Sequence, residues 1–434
     1  MRKEKAVKNQ RDSKANVAGG IDLVRRIRTR LPPELADLVQ AAGEIAQRQG
    51  ENLYLVGGAV RDLLLGRTNL DLDLVVEGDA INLANELTRV FWSKMITHTR
   101  FGTAKVQGDK WSIDIATARS ETYARPGALP TVTPGTIKDD LFRRDFTINA
   151  MAIELSPARY GQLLDLYGGR DDLERKLIRI LHERSFIDDA TRIWRAVRYE
   201  QRLDFSMEPV TLGLLKRDLG YLDTISGDRV RHELELALKE EHPEKAIRRA
   251  GELGVLARVH PGLKADDWLA EKFAHARRIA PEPPPVGLHL ALLAYRLTTE
   301  EVERLVAYLR LPKTVAQTLR DTVSLKTELK ALTKPEIRPG AVYALFHDFS
   351  PAAITANSVA TDSSLVKERL NLYSSKLRYV RTTLTGNDLR KMGITPGIRM
   401  KELLARLLDA RLNGRIKDRR GEEQLVKKWL GGRG

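Results

Sequence analysis

Leu55-Val-Gly-Gly-Ala-Val-Arg-Asp62, with Asp71-Leu-Asp73 nine residues beyond it, is the segment from which the rest of this chain can be placed. Leu53-Tyr-Leu-Val56 predicts a strand ended by Gly57-Gly58, Ala59–Leu65 a short helix, and the alternation Leu70-Asp-Leu-Asp-Leu-Val-Val76 a second strand. Residues i and i+2 of a strand share a face, so Asp71 and Asp73 project together. Two carboxylates that close repel unless a cation lies between them, and oxygen ligands select Mg²⁺ or Mn²⁺. Gly57 and Gly58 let backbone N–H groups approach phosphate oxygens without interference from a Cβ. The helix N-terminus behind them favours negative charge, and Arg61 can pair with a phosphate, while Asp62 caps the helix or pairs with Arg61. A third carboxylate, Asp114 in Ser112-Ile-Asp-Ile115, is placed on a neighbouring strand to complete a two-metal site. A phosphate cradle beside metal-binding carboxylates points to phosphoryl or nucleotidyl transfer.

Outward from this segment, Leu23 to Gln49 is predicted helical, with Pro32-Pro33 opening its second part. Ile81–Phe91 predicts a helix, Thr103–Val106 and Trp111–Ile115 a hairpin around Gly108-Asp109, 126–134 a loop, and Phe146–Leu155 a strand. These make a small α/β head. From Asp171 the apolar spacing turns to the helical period and stays there. Pro281-Glu-Pro-Pro-Pro285 is the clearest interior break, and a second joint falls near Thr382–Gly386.

The 434 residues contain no cysteine, which excludes disulfides, zinc–thiolate and iron–sulfur sites and cysteine nucleophiles. No apolar run reaches membrane-spanning length, and the first 30 residues carry no apolar stretch suited to a secretory signal, so a cytoplasmic protein is expected. Net charge is +15. Residues 1–30 hold 10 Lys/Arg against 3 Asp/Glu, and residues 381–434 hold 14 against 6, so the two ends supply the whole excess. Basic flanks on a neutral middle suit a polyanion held from the ends. Arg415, Lys417, Arg419, Arg420, Lys427 and Lys428 are the RNA-backbone candidates, since phosphate contacts need charge rather than a fixed motif. Trp111, Trp194, Trp268 and Trp429 are scattered as packing residues are, and His347-Asp348, the start of a phosphohydrolase metal motif in other chains, lacks accompanying ligands.

Further motifs follow in order. Gly57-Gly-Ala-Val-Arg-Asp62 with Asp71/Asp73, Arg143-Arg-Asp-Phe-Thr-Ile-Asn-Ala150, Asp165-Leu-Tyr-Gly-Gly-Arg-Asp-Asp-Leu173, Asp188-Asp-Ala-Thr-Arg192 and Asp228-Arg-Val-Arg-His-Glu233 resemble the five signatures of class II tRNA nucleotidyltransferases, the CCA-adding enzymes and their poly(A) polymerase relatives. The third motif is taken in that family as a hinge, and the fifth as a brace. The resemblance departs at Asp188, where the family carries Glu, and at Asp114, often Glu there.

The resemblance implies an α+β chain, with a DNA polymerase β-like nucleotidyltransferase head at 31–172 behind a basic arm at 1–30. A helical neck at 173–262, a helical body at 263–380 and a basic helical tail at 381–434 follow. It implies that Asp71 and Asp73 bind Mg²⁺ (or Mn²⁺), with Asp114 as a further catalytic carboxylate. Nucleotide contacts are implied for Gly57, Gly58 and Arg61, and for Arg143, Arg144 and Asp145 at ribose and phosphates. The base would be chosen by Asp189 and Arg192, an i,i+3 pair if both lie on one helix, with Arg195 and Arg198 further along, while Ile193 and Val197 face the core. CTP and ATP are the implied substrates and tRNA the partner, with no membrane and the oligomeric state unread. The expected activity is addition of CCA to tRNA 3′ ends. The alternatives are enzymes adding only the terminal A or only CC, a poly(A) polymerase, or a non-catalytic RNA-binding protein. In the family that the chain resembles, a shortened loop accompanies the enzymes that stop after CC, so the length of the loop from Arg119 to Asp140, with Glu121 and Tyr123, weighs by that resemblance against the CC-only option.

Overall fold

The structure, a computed structural model, describes residues 22–91, 93–99, 102–108, 111–279, 283–334 and 336–431. Most of the basic arm (1–21), Asp109 of the predicted hairpin and 281–282 of the proline break lie outside them. The chain divides into two compact units, one ending at Ile225 and one beginning at Ser226.

The first unit is built on a seven-stranded sheet. Its strands are β1 (Asn52–Val56), β2 (Asp71–Glu77), β3 (Lys94–His98), β4 (Thr103–Gln107), β5 (Ser112–Thr117), β8 (Met151–Glu154) and β9 (Leu163–Asp165). They lie in the order β3-β4-β5-β2-β1-β8-β9. All neighbours are antiparallel except β2 and β5, which pair in parallel with Asp73 beside Asp114. β1 is flanked on both edges, and Leu53 through Val56 are buried together, as an unbroken apolar run on a central strand requires. On β2, Leu72 and Leu74 are buried while Asp71 and Asp73 stay open to solvent, so the two-residue period separates core from acidic face. Helix Ala80–Phe91 buries Ala80, Leu83, Ala84 and Leu87, the stripe that its 3.6-residue period lays against the sheet. Helix Pro33–Arg48 opens at a proline, as its sequence predicts.

Three expectations are corrected. Phe146–Leu155 is not one strand: a 3₁₀ turn covers Thr147–Asn149 and the strand begins at Met151, because Asp145 Oδ1 accepts from both the Phe146 N–H and Asn149 Nδ2 and curls the chain locally. Within the predicted loop 126–134, β7 (Thr131–Pro134) pairs with β6 (Arg119–Thr122) as an antiparallel ribbon. Among the described residues beyond 171 the helical run is interrupted by a short parallel pair, Leu177–Ile178 with Ser206–Met207, and by an isolated bridge from Ile180 to Phe146.

The second unit is helical among its described residues, from Gly227–Leu238 to Arg419–Gly431. One apolar cluster gathers Leu325, Val342, Phe346, Ile354, Leu370 and Tyr373, and Leu412 joins it from the basic end. A second gathers Leu384, Leu389, Ile394, Leu403, Leu407 and Val426. Glu422, fully buried, accepts from the Thr383 and Leu384 N–H groups and from Arg411, fastening the last helix to the joint expected near 382–386. Among the described residues no helix is long and apolar enough to cross a membrane.

Candidate active site

The ends of β1, β2 and β5 open into a cleft of ≈ 780 Å³ in the first unit, walled by Glu121, Tyr123, the 143–145 segment and helix α1 (Thr191–Leu203). Gly57 turns the chain there with φ 69°, ψ −134°, a conformation closed to side chains. A Cβ on it would come 2.7 Å from Arg144 Nη1 and 3.7 Å from Asp73 Oδ2, so the glycine admits the backbone between an acid and a base.

Asp71 and Asp73 both line the cleft. Desolvation, opposed by Arg144 and reinforced by Asp71 and Asp114, pushes the Asp73 carboxyl from 3.8 up to about 6. An acid so placed has an unmet demand for positive charge. Asp114 aligns with Asp73 as expected, but its carboxylate is ion-paired with Lys105 Nζ on β4 at 2.6 Å. Among the described residues no three acidic or imidazole groups are drawn together tightly enough to hold a metal alone. The pair Asp71/Asp73 fits a divalent cation that takes its remaining oxygens from water and substrate phosphates, the habit of Mg²⁺. His347 stacks on Tyr343 (5.4 Å between ring centres) and meets the Ala344 carbonyl and Asp348, as a packing residue does.

The arginines are more committed than their sequence suggests. Arg61, predicted to reach a phosphate, is buried, forked onto Asp62 (Nε–Oδ1 3.0 Å, Nη2–Oδ2 3.1 Å) and bonded to Asn149 Oδ1 at 2.7 Å. It braces the glycine turn from behind. Asp140, fully buried, divides its oxygens between two guanidiniums, Oδ1 to Arg143 (2.6 and 3.0 Å) and Oδ2 to Arg144 (2.9 and 3.3 Å). Burial works against ionisation of Asp140, yet the two arginines hold its carboxyl below the usual carboxylate range. Arg143 also donates to Glu121 at 3.1 Å, and Tyr123 donates to the same carboxylate at 2.9 Å. Asp145, predicted to accept from a ribose hydroxyl, already accepts from the Phe146 N–H, Asn149 and, on Oδ2, Arg195 Nε at 2.9 Å. Burial opposes ionisation here too, but Arg195 and Asn149 keep this carboxyl below its ordinary range.

Asp189 and Arg192 both line the cleft, but not as an i,i+3 pair on one helix. Asp189 is extended (φ −139°, ψ 99°) and its Oδ1 accepts from the Thr191 N–H (3.0 Å) and Oγ1 (2.7 Å), ending one helix at Asp188 and releasing the next at Thr191. An Asp that satisfies backbone donors two residues on favours such a boundary over a helix interior. Arg192 donates to Ser185 Oγ and to the Arg143 carbonyl, each at 2.6 Å. Ile193 and Val197 are fully buried, as their spacing predicts.

Sequence reasoning missed Asp140, Asn149, Lys105 and Tyr199. Tyr199 has the guanidiniums of Arg198, Arg61 and Arg195 at 4.8, 5.4 and 5.6 Å from its ring centre. The Arg195–Tyr199 spacing of four on a helix was the available signal. At the other end of the chain, Arg415 is paired with Asp409, and Arg419 with Asp388 (2.8 Å) and Glu423 (3.1 Å). Lys417, Arg420, Lys427 and Lys428 are exposed.

Residues 53–179 match the family described as the poly A polymerase head domain, and 204–267 that described as "Probable RNA and SrmB-binding site of polymerase A". An A-adding tRNA nucleotidyltransferase of Geobacter sulfurreducens is 34% identical over 93% of this chain, which spans about half (48%) of that relative's length. One of Halalkalibacterium halodurans is 33% identical over 91% of this chain and 92% of its own. The Thermotoga maritima CCA-adding enzyme complexed with tRNA superposes with a TM-score of 0.73 at 32% identity, covering 94% of this chain and 99% of that one.

Proposed function

The chain belongs to the tRNA nucleotidyltransferase and poly(A) polymerase family, and from that premise we propose that it rebuilds tRNA 3′ ends, adding C, C and A from CTP and ATP with release of pyrophosphate. The observation that carries this reading is the one cleft in which the Asp71/Asp73 pair faces Asp189 and Arg192.

A divalent cation on Asp71 and Asp73 would favour ionisation of the attacking 3′-hydroxyl and offset charge on the departing pyrophosphate. The Gly57 N–H is turned to the Met151 carbonyl (3.4 Å), leaving Gly58, first residue of its helix, to offer a backbone N–H to the triphosphate, and Arg144, held in orientation by Asp140, adds fixed positive charge beside it. The base is chosen by protein rather than template. Asp189 only accepts hydrogen bonds and Arg192 only donates them. Cytosine and adenine each present an amine donor beside a ring-nitrogen acceptor, which this pair complements. Uracil and guanine present a ring N–H beside a carbonyl, and a mismatched buried group costs about 1–3 kcal/mol. The exposed Lys417, Arg420, Lys427 and Lys428 supply charge for the tRNA backbone.

A second reading, addition of the terminal A alone, is favoured by the Geobacter and Halalkalibacterium relatives, both A-adding by name and matched along nearly the whole chain. Three tRNAs ending at the discriminator base, at C and at CC, each given labelled CTP, ATP or both with Mg²⁺, separate the two. Growth of all three to CCA supports the full reaction, and A added only to the CC end supports the narrower one. Long A tails would mean a poly(A) polymerase. No incorporation at all would mean a binding protein on an enzyme's fold.

A further inference from the structure

The base-reading arginine is itself held by a residue outside every signature motif. Ser185 opens the short helix Ser185–Asp188, is fully buried, and is seven residues ahead of Arg192. Its Oγ accepts from Arg192 Nη1 at 2.6 Å, and its backbone carbonyl lies 3.3 Å from the same nitrogen. Nη2 of the guanidinium is engaged by the Arg143 carbonyl at 2.6 Å. Both terminal nitrogens are thus tied to protein oxygens before any nucleotide enters. A guanidinium is planar, so bonds at both ends fix its tilt as well as its position. An arginine has several rotatable bonds, and without such anchors the same donors could swing to meet a uracil or guanine carbonyl.

We infer that Ser185 is a positioning residue for nucleotide selection, its hydroxyl fixing the plane of Arg192 so that the donors meet the cytosine or adenine edge and refuse the uracil or guanine edge. The inference rests on the proposed role of Arg192 and deepens it. It differs from a packing role in one measurable respect: loss of a packing contact weakens use of all nucleotides together, whereas loss of the anchor narrows the gap between right and wrong ones.

The test compares wild type with Ser185→Ala, Ser185→Cys, Ser185→Thr and Arg192→Ala, using tRNA ending at CC. Values of kcat/KM are measured for ATP and GTP by single-nucleotide addition, with melting temperature alongside. Ser185→Ala is expected to lower the ATP/GTP ratio about tenfold, the scale of one hydrogen bond to a charged group. Ser185→Cys, which preserves volume but accepts weakly, should fall with it even if the alanine variant folds poorly. Ser185→Thr, which keeps the hydroxyl, should restore the ratio. An unchanged ratio in the alanine and cysteine variants, with a collapsed ratio in Arg192→Ala, would overturn the positioning role and leave the base-reading assignment standing. An unchanged ratio in Arg192→Ala would overturn both.

Discussion

At the scale of single residues, several charges of the cleft are paired before any substrate arrives. Asp140 is divided between Arg143 and Arg144, Asp145 is gripped by Arg195, and Asp114 is ion-paired with Lys105. Burial pushes the Asp73 carboxyl up to about 6, so a cation beside it would be favoured. Asp71→Ala combined with Asp73→Ala should therefore lower nucleotide incorporation by about 10³-fold or more while tRNA affinity changes little, as filter binding would show. Lost tRNA binding would instead make the pair structural. Asp140 gives a prediction of opposite electrostatic sign. Its folded-state pKa is depressed, so its contribution is complete above the ordinary carboxylate value and is lost as pH falls through the folded one. Asp140→Asn should destabilise the protein by about 3 kcal/mol at pH 7. Below about pH 4 the wild type should lose stability faster than the variant, and thermal melts across pH 2.5–7 check the crossover.

At the scale of elements, what could be read in advance is what depends on local period and local chemistry. The alternation 70–76 and the glycines at 57–58 place β2 and the turn within a residue of their observed limits, because a half-buried strand and a positive-φ turn leave direct marks on composition. The sequence missed features made by partners distant along the chain. The β6–β7 ribbon looked like a loop because only cross-strand pairing makes Thr131–Pro134 extended. Asp189 looked helical because its capping of Thr191 competes with a helical period that is otherwise intact. For Arg61 the sequence offered Asp62 as a partner, as observed, but not Asn149, which lies 88 residues on and carries no signal of its approach. The turn itself admits a sharp test. Gly57→Ala must either leave φ 69° or strain there, and its methyl meets Arg144 Nη1. A loss of about 1–3 kcal/mol in stability is expected, with a raised KM for ATP as Arg144 yields. A variant with unchanged melting temperature and KM would show that the turn tolerates a side chain.

At the scale of the whole molecule, charge and packing divide the basic end between two tasks. Leu412 enters the apolar cluster around Phe346, and Asn413 accepts from the Gly340 N–H at 3.0 Å, so residues 381–434 are not a detachable appendage. Deleting them would disturb packing along with charge. Replacing Lys417, Arg420, Lys427 and Lys428 by alanine tests the charge alone, and the slope of log affinity for tRNA against log salt should flatten by about 3. An unchanged slope would remove these four residues from the interface.

The sheet order carries a consequence for how the molecule comes into being. β1 pairs with β2 almost at once, but its other edge waits for β8, roughly a hundred residues later, and β2 gains its parallel neighbour β5 only after helix Ala80–Phe91 and two further strands have been made. Parallel pairing of this kind closes a long loop before it yields any contact. On a chain emerging from the ribosome, the acidic floor therefore assembles from segments synthesised far apart, and Arg192 arrives after the floor is complete. A nascent chain halted before Thr191 would carry the acidic pair without the Thr191–Leu203 wall of the cleft. On the proposed function, nucleotide selectivity is acquired after the acidic floor and before the basic end that would hold the tRNA.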